Sequence, residues 1–150
     1  MQSEMESNRV LWDELTQVHL KGSEVYPVEE LKRGKNVLNA IEIDELGDVE
    51  GKKLLHLQCH FGMDTLSWKR LGAIVTGVDI SEEAINAAKS LSDELHLDAH
   101  FIRANVLDFA DKLDEKFDIV FASYGALYWI PDIWKGFEVA VGYLRDGGVI

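Results

Sequence analysis

The sequence predicts an α/β fold with a doubly wound, mostly parallel sheet and helices on both of its faces. Three observations support this prediction. Strand-like and helix-like segments alternate from residue 53 onward, the loops between them are short, and the first and fourth strand candidates are continuous apolar runs. Such runs are typical of parallel strands that are buried on both faces. Sheets of this kind bind ligands at the carboxyl ends of their strands, where the strand order reverses.

The first fifty residues are predicted to contain one helix followed by a second short element. Residues 1–6 are expected to be frayed, and Ser7 or Asn8 can cap a first helix. Its apolar residues at helical spacing are Val10, Leu11, Leu15 and Val18. Tyr26-Pro27 begins a second short element, because proline suits the first helical turn.

Four parallel strands are predicted, and a fifth begins near the end of the sequence. The four apolar segments are residues 53–58, 73–79, 99–103 and 117–123. A turn at residues 145–148 opens the fifth strand, and the sequence ends there. We therefore expect either a truncated sequence or another chain or segment that covers this edge, because proteins normally protect unpaired strand edges.

Two further helices are predicted beside these strands. Ser81 caps the first, and Glu82 and Glu83 in its first turn suit the helix dipole. Its expected buried face is Ala84, Ala88, Leu91 and Leu95. Asp132 precedes the second helix. The apolar face expected there is Ile133, Phe137, Ala140, Val141 and Leu144.

The composition is that of one globular domain with an acidic surface. The chain has 150 residues, 47% of them hydrophobic and 28% charged, and a net charge of −12. This charge repels phosphate groups, so nucleic acid and membrane surfaces are not expected partners. No apolar run has transmembrane length, and the N-terminus lacks the basic and apolar regions of a signal peptide. The single cysteine excludes an internal disulfide, and we expect a cytoplasmic protein.

The most informative pattern joins the ends of the first two strands. The first apolar run ends in a tight turn that contains Gly62, and the second ends at Asp79. An acid about twenty residues after a glycine turn is expected where a nucleoside cofactor lies across two neighbouring strand ends. The turn would bring backbone N–H groups close to the ligand, and Asp79 would accept hydrogen bonds from ribose hydroxyls. In the alternative interpretation, Gly62 only ends a strand and Asp79 is a loop acid.

Three residues of the same stretch have side chains of the types that bind zinc. These are His56, Cys59 and His60. A fourth ligand at short spacing is absent, and strand alternation directs His56 and Cys59 to different faces. We therefore expect no metal site and interpret Cys59 as a small buried apolar residue.

The order of these segments resembles the class I, Rossmann-like S-adenosylmethionine-dependent methyltransferases, in a subgroup that acts on small molecules. The resemblance lies in the string Leu-His-Leu-Gln-Cys-His-Phe-Gly at residues 55–62 and in the Val-Thr-Gly-Val-Asp that ends at Asp79. In that family the first strand usually ends in an acid followed by Gly-x-Gly-x-Gly. Here only Gly62 matches the glycines, while His56 replaces the acid and Gln58 and His60 replace two glycines.

The resemblance implies S-adenosylmethionine as the cofactor and a role for each strand end. Asp79 would bind the ribose, Ile80 would pack against adenine, and Asn105 would accept from the adenine amino group. The cofactor-binding residues that it implies are His56, Gln58, His60, Gly62, Asp79, Ile80, Asn105, Val106 and Ser123. It also implies a variable helical cap over residues 1–50 and a cofactor-binding core over residues 51–150 that lacks the family's last strands.

Aromatic residues and histidines supply candidates for the methyl-acceptor side of the site. Tyr124, Tyr128 and Trp129 follow the fourth strand, and aromatic faces favour a sulfonium as they favour other onium groups. Core packing is the alternative interpretation. Further candidates to close the site from the N-terminal side are Trp12, His19 and Tyr26. If the reaction uses a base, the candidate catalytic residues are His19, His60, Tyr124 and Tyr128.

The function predicted from the sequence is methyl transfer from S-adenosylmethionine to a small-molecule acceptor by in-line displacement. The missing glycines and strands keep a second hypothesis open, a non-catalytic cofactor-binding or interaction module. A nicotinamide-dependent dehydrogenase fits Asp79 but not the turn, which lacks Gly-x-Gly-x-x-Gly. The oligomeric state is left open, a homodimer included.

Overall fold

The computed structural model describes residues 2–150 and contains a sheet of five parallel strands. In chain order the strands are β1 (Lys53–Leu57), β2 (Ile74–Asp79), β3 (His100–Arg103), β4 (Phe117–Ala122) and β5 (Leu144–Val149). Their spatial order is β3-β2-β1-β4-β5, so the order reverses between β1 and β4. The first four strands lie within one residue of their predicted bounds, and the predicted α/β class is confirmed.

Six helices accompany the sheet. They are α1 (Gln2–His19), α2 (Val28–Lys32), α3 (Ala40–Leu46), α4 (Met63–Arg70), α5 (Glu82–Leu95) and α6 (Ile133–Tyr143), with a 3₁₀ turn at Ala126–Trp129. The predicted caps are confirmed: the Ser81 hydroxyl accepts from the Ala84 N–H at 3.0 Å, and the Asp132 carboxylate accepts from the Lys135 N–H at 3.0 Å. Among the helices of residues 2–150, none has the length and apolar character needed to cross a membrane.

Alternate residues of the strands face two apolar layers. Leu55 and Leu57 pack with Ala140 and Tyr143 of α6 on one side of the sheet. On the other side Leu54 packs with Trp68 of α4 and with buried residues of β2 and β4. Continuous apolar strands are needed because both sides are covered. On α5 the predicted face is confirmed, since Ala84, Ala88 and Leu91 are buried.

The prediction for α1 is wrong in its start and in its buried face. The helix begins at Gln2, so residues 2–6 are helical rather than frayed, and Ser7 and Asn8 lie inside the helix rather than at its cap; Met1 lies outside the described residues. Val10, Leu11 and Val18 are 44%, 38% and 58% exposed. The physical reason is that α1 covers a polar cavity rather than the apolar core, so its inner face carries polar and aromatic side chains.

The end of the chain also differs from the prediction. On α6 most of the expected apolar face is exposed, with Ile133, Phe137 and Val141 at 40%, 42% and 59%. Ala140 is buried as predicted, and the helix meets the sheet through this residue and Tyr143. The fifth strand begins at Leu144, before the expected turn. The turn residues lie inside it, and its pairing with β4 is irregular between Phe117 and Ile119.

Candidate functional site

A cavity of about 440 Å³ lies at the carboxyl ends of β1, β2 and β4, where the strand order reverses. Helix α1, the segment 24–39 and the start of α4 complete its walls. Eight predicted cofactor residues line it: His56, Gln58, His60, Gly62, Asp79, Ile80, Val106 and Ser123. The structure therefore brings together at one site the strand ends that the sequence pattern singled out.

In the loop between β1 and α4, two residues other than glycine adopt the left-handed backbone conformation that favours glycine. Gln58 and His60 have φ angles of 54° and 52°, and Gly62 has a φ of 79°. Non-glycine residues seldom adopt this left-handed region. The two residues that replace glycines are thus held in the conformation that glycine favours. The departure from the glycine pattern does not alter the kind of turn.

Gly62 is required for packing as well as for the turn. A Cβ at this position would lie 2.7 Å from Cζ of Phe101 and 3.2 Å from Cβ of Ala88. Both distances are shorter than an ordinary contact, and Phe101 belongs to β3 while Ala88 belongs to α5. The glycine therefore lets the start of α4 approach β3 and α5 closely.

Asp79 is an oriented carboxylate in the cavity wall. Its Oδ2 accepts from the His60 N–H at 2.8 Å, and its Oδ1 accepts from the Ser81 N–H at 2.9 Å. Burial raises the pKa of this carboxyl, and its backbone N–H donors oppose the rise. Each oxygen retains a second acceptor position, so the carboxylate can hold a diol that enters the cavity.

Three buried polar atoms of cavity-lining residues lack a hydrogen-bond partner in the described part of the chain. They are Nε2 of His56, Oε1 of Gln58 and Nδ1 of His60. The other ends of two of these side chains are fixed: His56 Nδ1 lies 2.7 Å from the Thr65 hydroxyl, and Gln58 Nε2 donates to the Ala126 carbonyl at 2.9 Å. Unpaired buried polar atoms are uncommon in proteins, and a polar ligand at this site would pair them.

Both cavity histidines are neutral imidazoles. Burial lowers the pKa of His56 and that of His60 to about 3, and His19 adds to the shift at His60. In a neutral imidazole one nitrogen donates and the other accepts. The site therefore offers a ligand hydrogen-bonding groups without a positive charge.

Helix α1 closes one side of the cavity. Asn8 Nδ2 donates to the Trp129 carbonyl at 3.0 Å, and the Trp12 ring packs edge-to-face on Trp129 with centroids 5.3 Å apart. Asp13 Oδ1 accepts from the Ser81 hydroxyl at 2.6 Å at the start of α5. The helix is thus joined both to the 3₁₀ turn after β4 and to the end of β2.

The three candidates from the N-terminal region, Trp12, His19 and Tyr26, all contact the His60 ring. Trp12 and Tyr26 line the cavity, whereas His19 lies behind His60 with its Nδ1 2.9 Å from His60 Nε2. The His19 ring stacks on Tyr26, with centroids 4.0 Å apart. Tyr124 also lines the cavity, although it is 66% exposed.

Two predicted site residues lie elsewhere. Asn105 does not line the cavity, and its Oδ1 accepts from the Leu107 N–H at 3.0 Å and closes a turn after β3. Tyr128 does not line it either and is 93% exposed, because the 3₁₀ turn directs Trp129 rather than Tyr128 toward α1. Both placements differ from what the sequence led us to expect.

Asp64 is a cavity residue that sequence reasoning missed. It lies in the first turn of α4, and burial, with a smaller effect of Glu42, raises the pKa of its carboxyl to about 7. Within residues 2–150 the cavity wall carries Glu24, Asp64 and Asp79 but no lysine or arginine. An acid two residues after the glycine turn was the available signal, although acids are common in the first turn of a helix because they suit the helix dipole.

Cys59 is 3% exposed and packs behind the loop, as expected of a small apolar residue. Its Sγ would lie 2.8 Å from a Cβ at Gly77, so it fills the space beside β2. Among residues 2–150 there is no group of three His, Cys, Asp or Glu side chains arranged to hold a metal ion.

Comparisons with known proteins agree with this architecture. A family model described as a methyltransferase domain matches residues 55–150. A ubiquinone biosynthesis O-methyltransferase of Saccharophagus degradans is 31% identical over 77% of this chain and 48% of the relative. A magnesium-protoporphyrin O-methyltransferase of Rhodobacter capsulatus is 33% identical over 83% of this chain and 54% of the relative. The chain thus spans about half the length of the curated relatives it matches.

Among solved structures, magnesium protoporphyrin IX methyltransferase of Synechocystis with bound S-adenosylhomocysteine (SAH) superposes with a TM-score of 0.67. The sequences are 15% identical, and the match covers 95% of this chain and 68% of that chain. At this identity the likeness is one of fold.

Proposed function

Because the chain belongs to the methyltransferase-domain family, we propose that it binds S-adenosylmethionine in the cavity and methylates a small-molecule acceptor. The observation that carries the proposal is the Asp79 carboxylate, which His60 and Ser81 orient beside a loop of glycine-type backbone. This pairing suits a ligand with a ribose diol at one end and a polar tail at the other.

The residues present fit this cofactor. Asp79 would hold the ribose hydroxyls, with Ile80 and Val106 as apolar walls for the adenine. The unpaired atoms of His56, Gln58 and His60 would pair with the amino-acid tail. Occupation of the cavity would thus satisfy polar atoms that the protein leaves without partners, which supports a resident polar ligand.

Catalysis would rest on orientation and on the exclusion of water. The bound cofactor supplies a methyl group that is activated by a sulfonium. The chain orients the reactants through Asp79 and the β1–α4 loop, and alignment of this kind can lower a barrier by about 7–11 kcal/mol. Trp12 and Trp129 favour a cation near their rings, and α1 shields that side of the cavity from solvent.

The acidic wall also bears on the charge of the acceptor. We infer a neutral or cationic acceptor, since no lysine or arginine within residues 2–150 lines the cavity to pair an anion.

A cytoplasmic location is supported by the single, free cysteine, because disulfides are rare in that compartment.

The test of the proposal is calorimetric titration with SAH. We expect wild type to bind and Asp79→Asn to bind about 10–100-fold more weakly, since a hydrogen bond to a charged group contributes about 1.5–3 kcal/mol. Asp98→Asn is the matched control, because Asp98 is exposed and precedes β3 at the opposite edge of the sheet. A folded wild type that does not bind SAH would refute the proposal.

Methyl transfer itself separates the proposal from a non-catalytic binding module. A panel of alcohols, phenols, amines and thiols should yield a methylated product with S-adenosylmethionine. SAH binding without any product would favour the binding module instead.

A further inference from the structure

Two histidines join the buried cavity to a less buried position on α1. His60 lines the cavity, and its Nδ1 is buried without a partner in the described chain. Its Nε2 lies 2.9 Å from Nδ1 of His19, within hydrogen-bond distance. His19 does not line the cavity and is only partly buried. The pair therefore forms a continuous path of ring nitrogens that leads out of the site.

The two rings are held firmly in this arrangement. Tyr26 stacks on His19, with centroids 4.0 Å apart, and packs edge-to-face on His60 at 5.5 Å. Trp12 packs on His60 at 5.1 Å, and Phe61 packs on it at 4.6 Å. His60 itself has a φ of 52°, and its backbone N–H is bound to Asp79. A backbone that costs free energy, together with four aromatic contacts, indicates that the imidazole is needed in this position.

We propose that His60 and His19 relay a proton from a hydroxyl-bearing acceptor to solvent during methyl transfer. This inference rests on the proposed function. In the starting state His60 Nε2–H donates to His19 Nδ1, which leaves His60 Nδ1 as an acceptor nitrogen without a partner in the described chain. The acceptors implied are alcohols, phenols or enols, whose oxygen must lose a proton.

The acceptor oxygen forms the new O–CH₃ bond, and the C–S bond breaks with its electron pair retained by sulfur. The hydroxyl proton passes to His60 Nδ1, the Nε2 proton of His60 passes to His19 Nδ1, and His19 releases its own Nε2 proton to water. One proton leaves the protein for each methyl group transferred.

A relay suits this position better than a single base. Burial lowers the pKa of His60 to about 3, so this ring holds a proton poorly at neutral pH. Transfer onward to His19 lets the proton cross the buried ring without a lasting charge there. The Asp79 carboxylate accepts from the His60 backbone N–H and leaves the ring free. The groups packed on the His19 ring are Trp12, Tyr26 and His60.

Nitrogen-15 NMR of the histidine rings in the SAH complex tests the starting state without any turnover. We expect His60 and His19 each to carry a proton on Nε2, with scalar coupling across the bond between them. His60 should stay neutral through pH 5. A proton on Nδ1 of His60, or a charged His60 at pH 6, would overturn the relay.

Kinetics test the route. His19→Phe keeps a ring against Tyr26 but removes both nitrogens, so kcat for a hydroxyl acceptor found in the panel should fall about 100-fold, within the usual range for general acid–base catalysis. KM for S-adenosylmethionine should change less than about twofold. The control is Glu14→Gln, an exposed change on the same helix. An unchanged kcat in His19→Phe would contradict the relay.

The outcomes distinguish a failure of the relay from a failure of the proposed function. If the panel yields only acceptors without an ionisable proton, the relay is refuted while the methyltransferase proposal stands. If the folded protein does not bind SAH, the proposed function fails, and the relay fails with it because it has no reaction to serve. A thermal unfolding profile like that of wild type is required of each variant before its rate is interpreted.

Discussion

At the scale of single residues, the end of β1 holds two side chains in a backbone region that favours glycine. Gln58 and His60 both have positive φ angles, and both line the cavity. Each residue in this region costs about 1–2 kcal/mol relative to glycine. Packing of the rings around His60 and the bond from Gln58 to Ala126 offset part of that cost. The side chains have therefore displaced glycine for reasons other than backbone stability.

Gln58 allows a direct measurement of this backbone cost. Gln58→Gly and Gln58→Ala both remove the side chain and its bond to Ala126, so they differ only in backbone freedom and one methyl group. We expect the glycine variant to be more stable than the alanine variant by about 1 kcal/mol. Denaturant unfolding at equilibrium measures the difference. Equal stability of the two variants would mean that the left-handed conformation is not strained here.

Asp64 makes the stability of the folded protein depend on pH. The pKa of its carboxyl in the folded state, about 7, lies above the ordinary value of 3.8. The folded protein therefore holds a proton that the unfolded chain releases between about pH 4 and 7. This carboxyl thus lowers stability as pH rises through that window, and its full cost is present above pH 7.

Asp64→Asn removes the titratable carboxyl and isolates its effect on stability. We expect the ligand-free variant to be more stable than wild type by about 1–3 kcal/mol at pH 8, the range for an unpaired buried polar group. The gain should disappear near pH 4. His56 and His60 titrate alike in both proteins, so they cancel in the difference. Asp44→Asn, at an exposed position on α3, is the control that should show no such trend.

At the scale of secondary-structure elements, β1 and β4 could be predicted from sequence because both obey one rule. Buried parallel strands are continuous apolar runs, and their carboxyl ends must meet at one edge. Helix α1 follows a different rule. It covers a polar cavity, so its inner face holds Asn8, Trp12 and His19 while Val10 and Val18 lie outside. Apolar periodicity could not identify a face that is selected for hydrogen bonds and rings.

Neighbouring positions on α1 test which face is the inner one. Trp12→Ala should lower the free energy of unfolding by about 2 kcal/mol and weaken SAH binding, because the ring packs on His60 and Trp129. Leu11→Ala should cost less than about 0.5 kcal/mol, because Leu11 is 38% exposed and lies off the cavity wall. Thermal unfolding with and without SAH measures both. A larger loss in Leu11→Ala would restore the face that the sequence suggested.

At the scale of the whole molecule, the parts of the site that sequence predicted are those fixed by topology. Asp79 and Ser123 follow directly from strands, so the fold alone brings them to the cavity. Asn105 lies outside the cavity wall, and a local turn binds its side-chain oxygen. The pairing of His19 with His60 joins the end of α1 to the β1–α4 loop, and no spacing in a single sequence encodes such a contact.

The overall charge predicts that cofactor binding depends on salt. The chain carries a net charge of −12, and the acidic residues include Glu24, Asp64 and Asp79 of the described cavity wall, which holds no lysine or arginine. S-adenosylmethionine has one more positive charge than SAH, so the acidic field should favour it. Salt screens such a field, since the Debye length falls from about 30 Å at 0.01 M to about 3 Å at 1 M.

Calorimetric titrations of both ligands across this salt range measure the contribution of the field. We expect affinity for S-adenosylmethionine to fall by about fivefold more than affinity for SAH, which corresponds to about 1 kcal/mol of screened attraction. SAH is the internal control, because it shares every group except the methyl group and its charge. Parallel salt dependence of the two ligands would show that the protein's acidity does not reach the sulfonium, and that the aromatic rings around the cavity stabilise this cation alone.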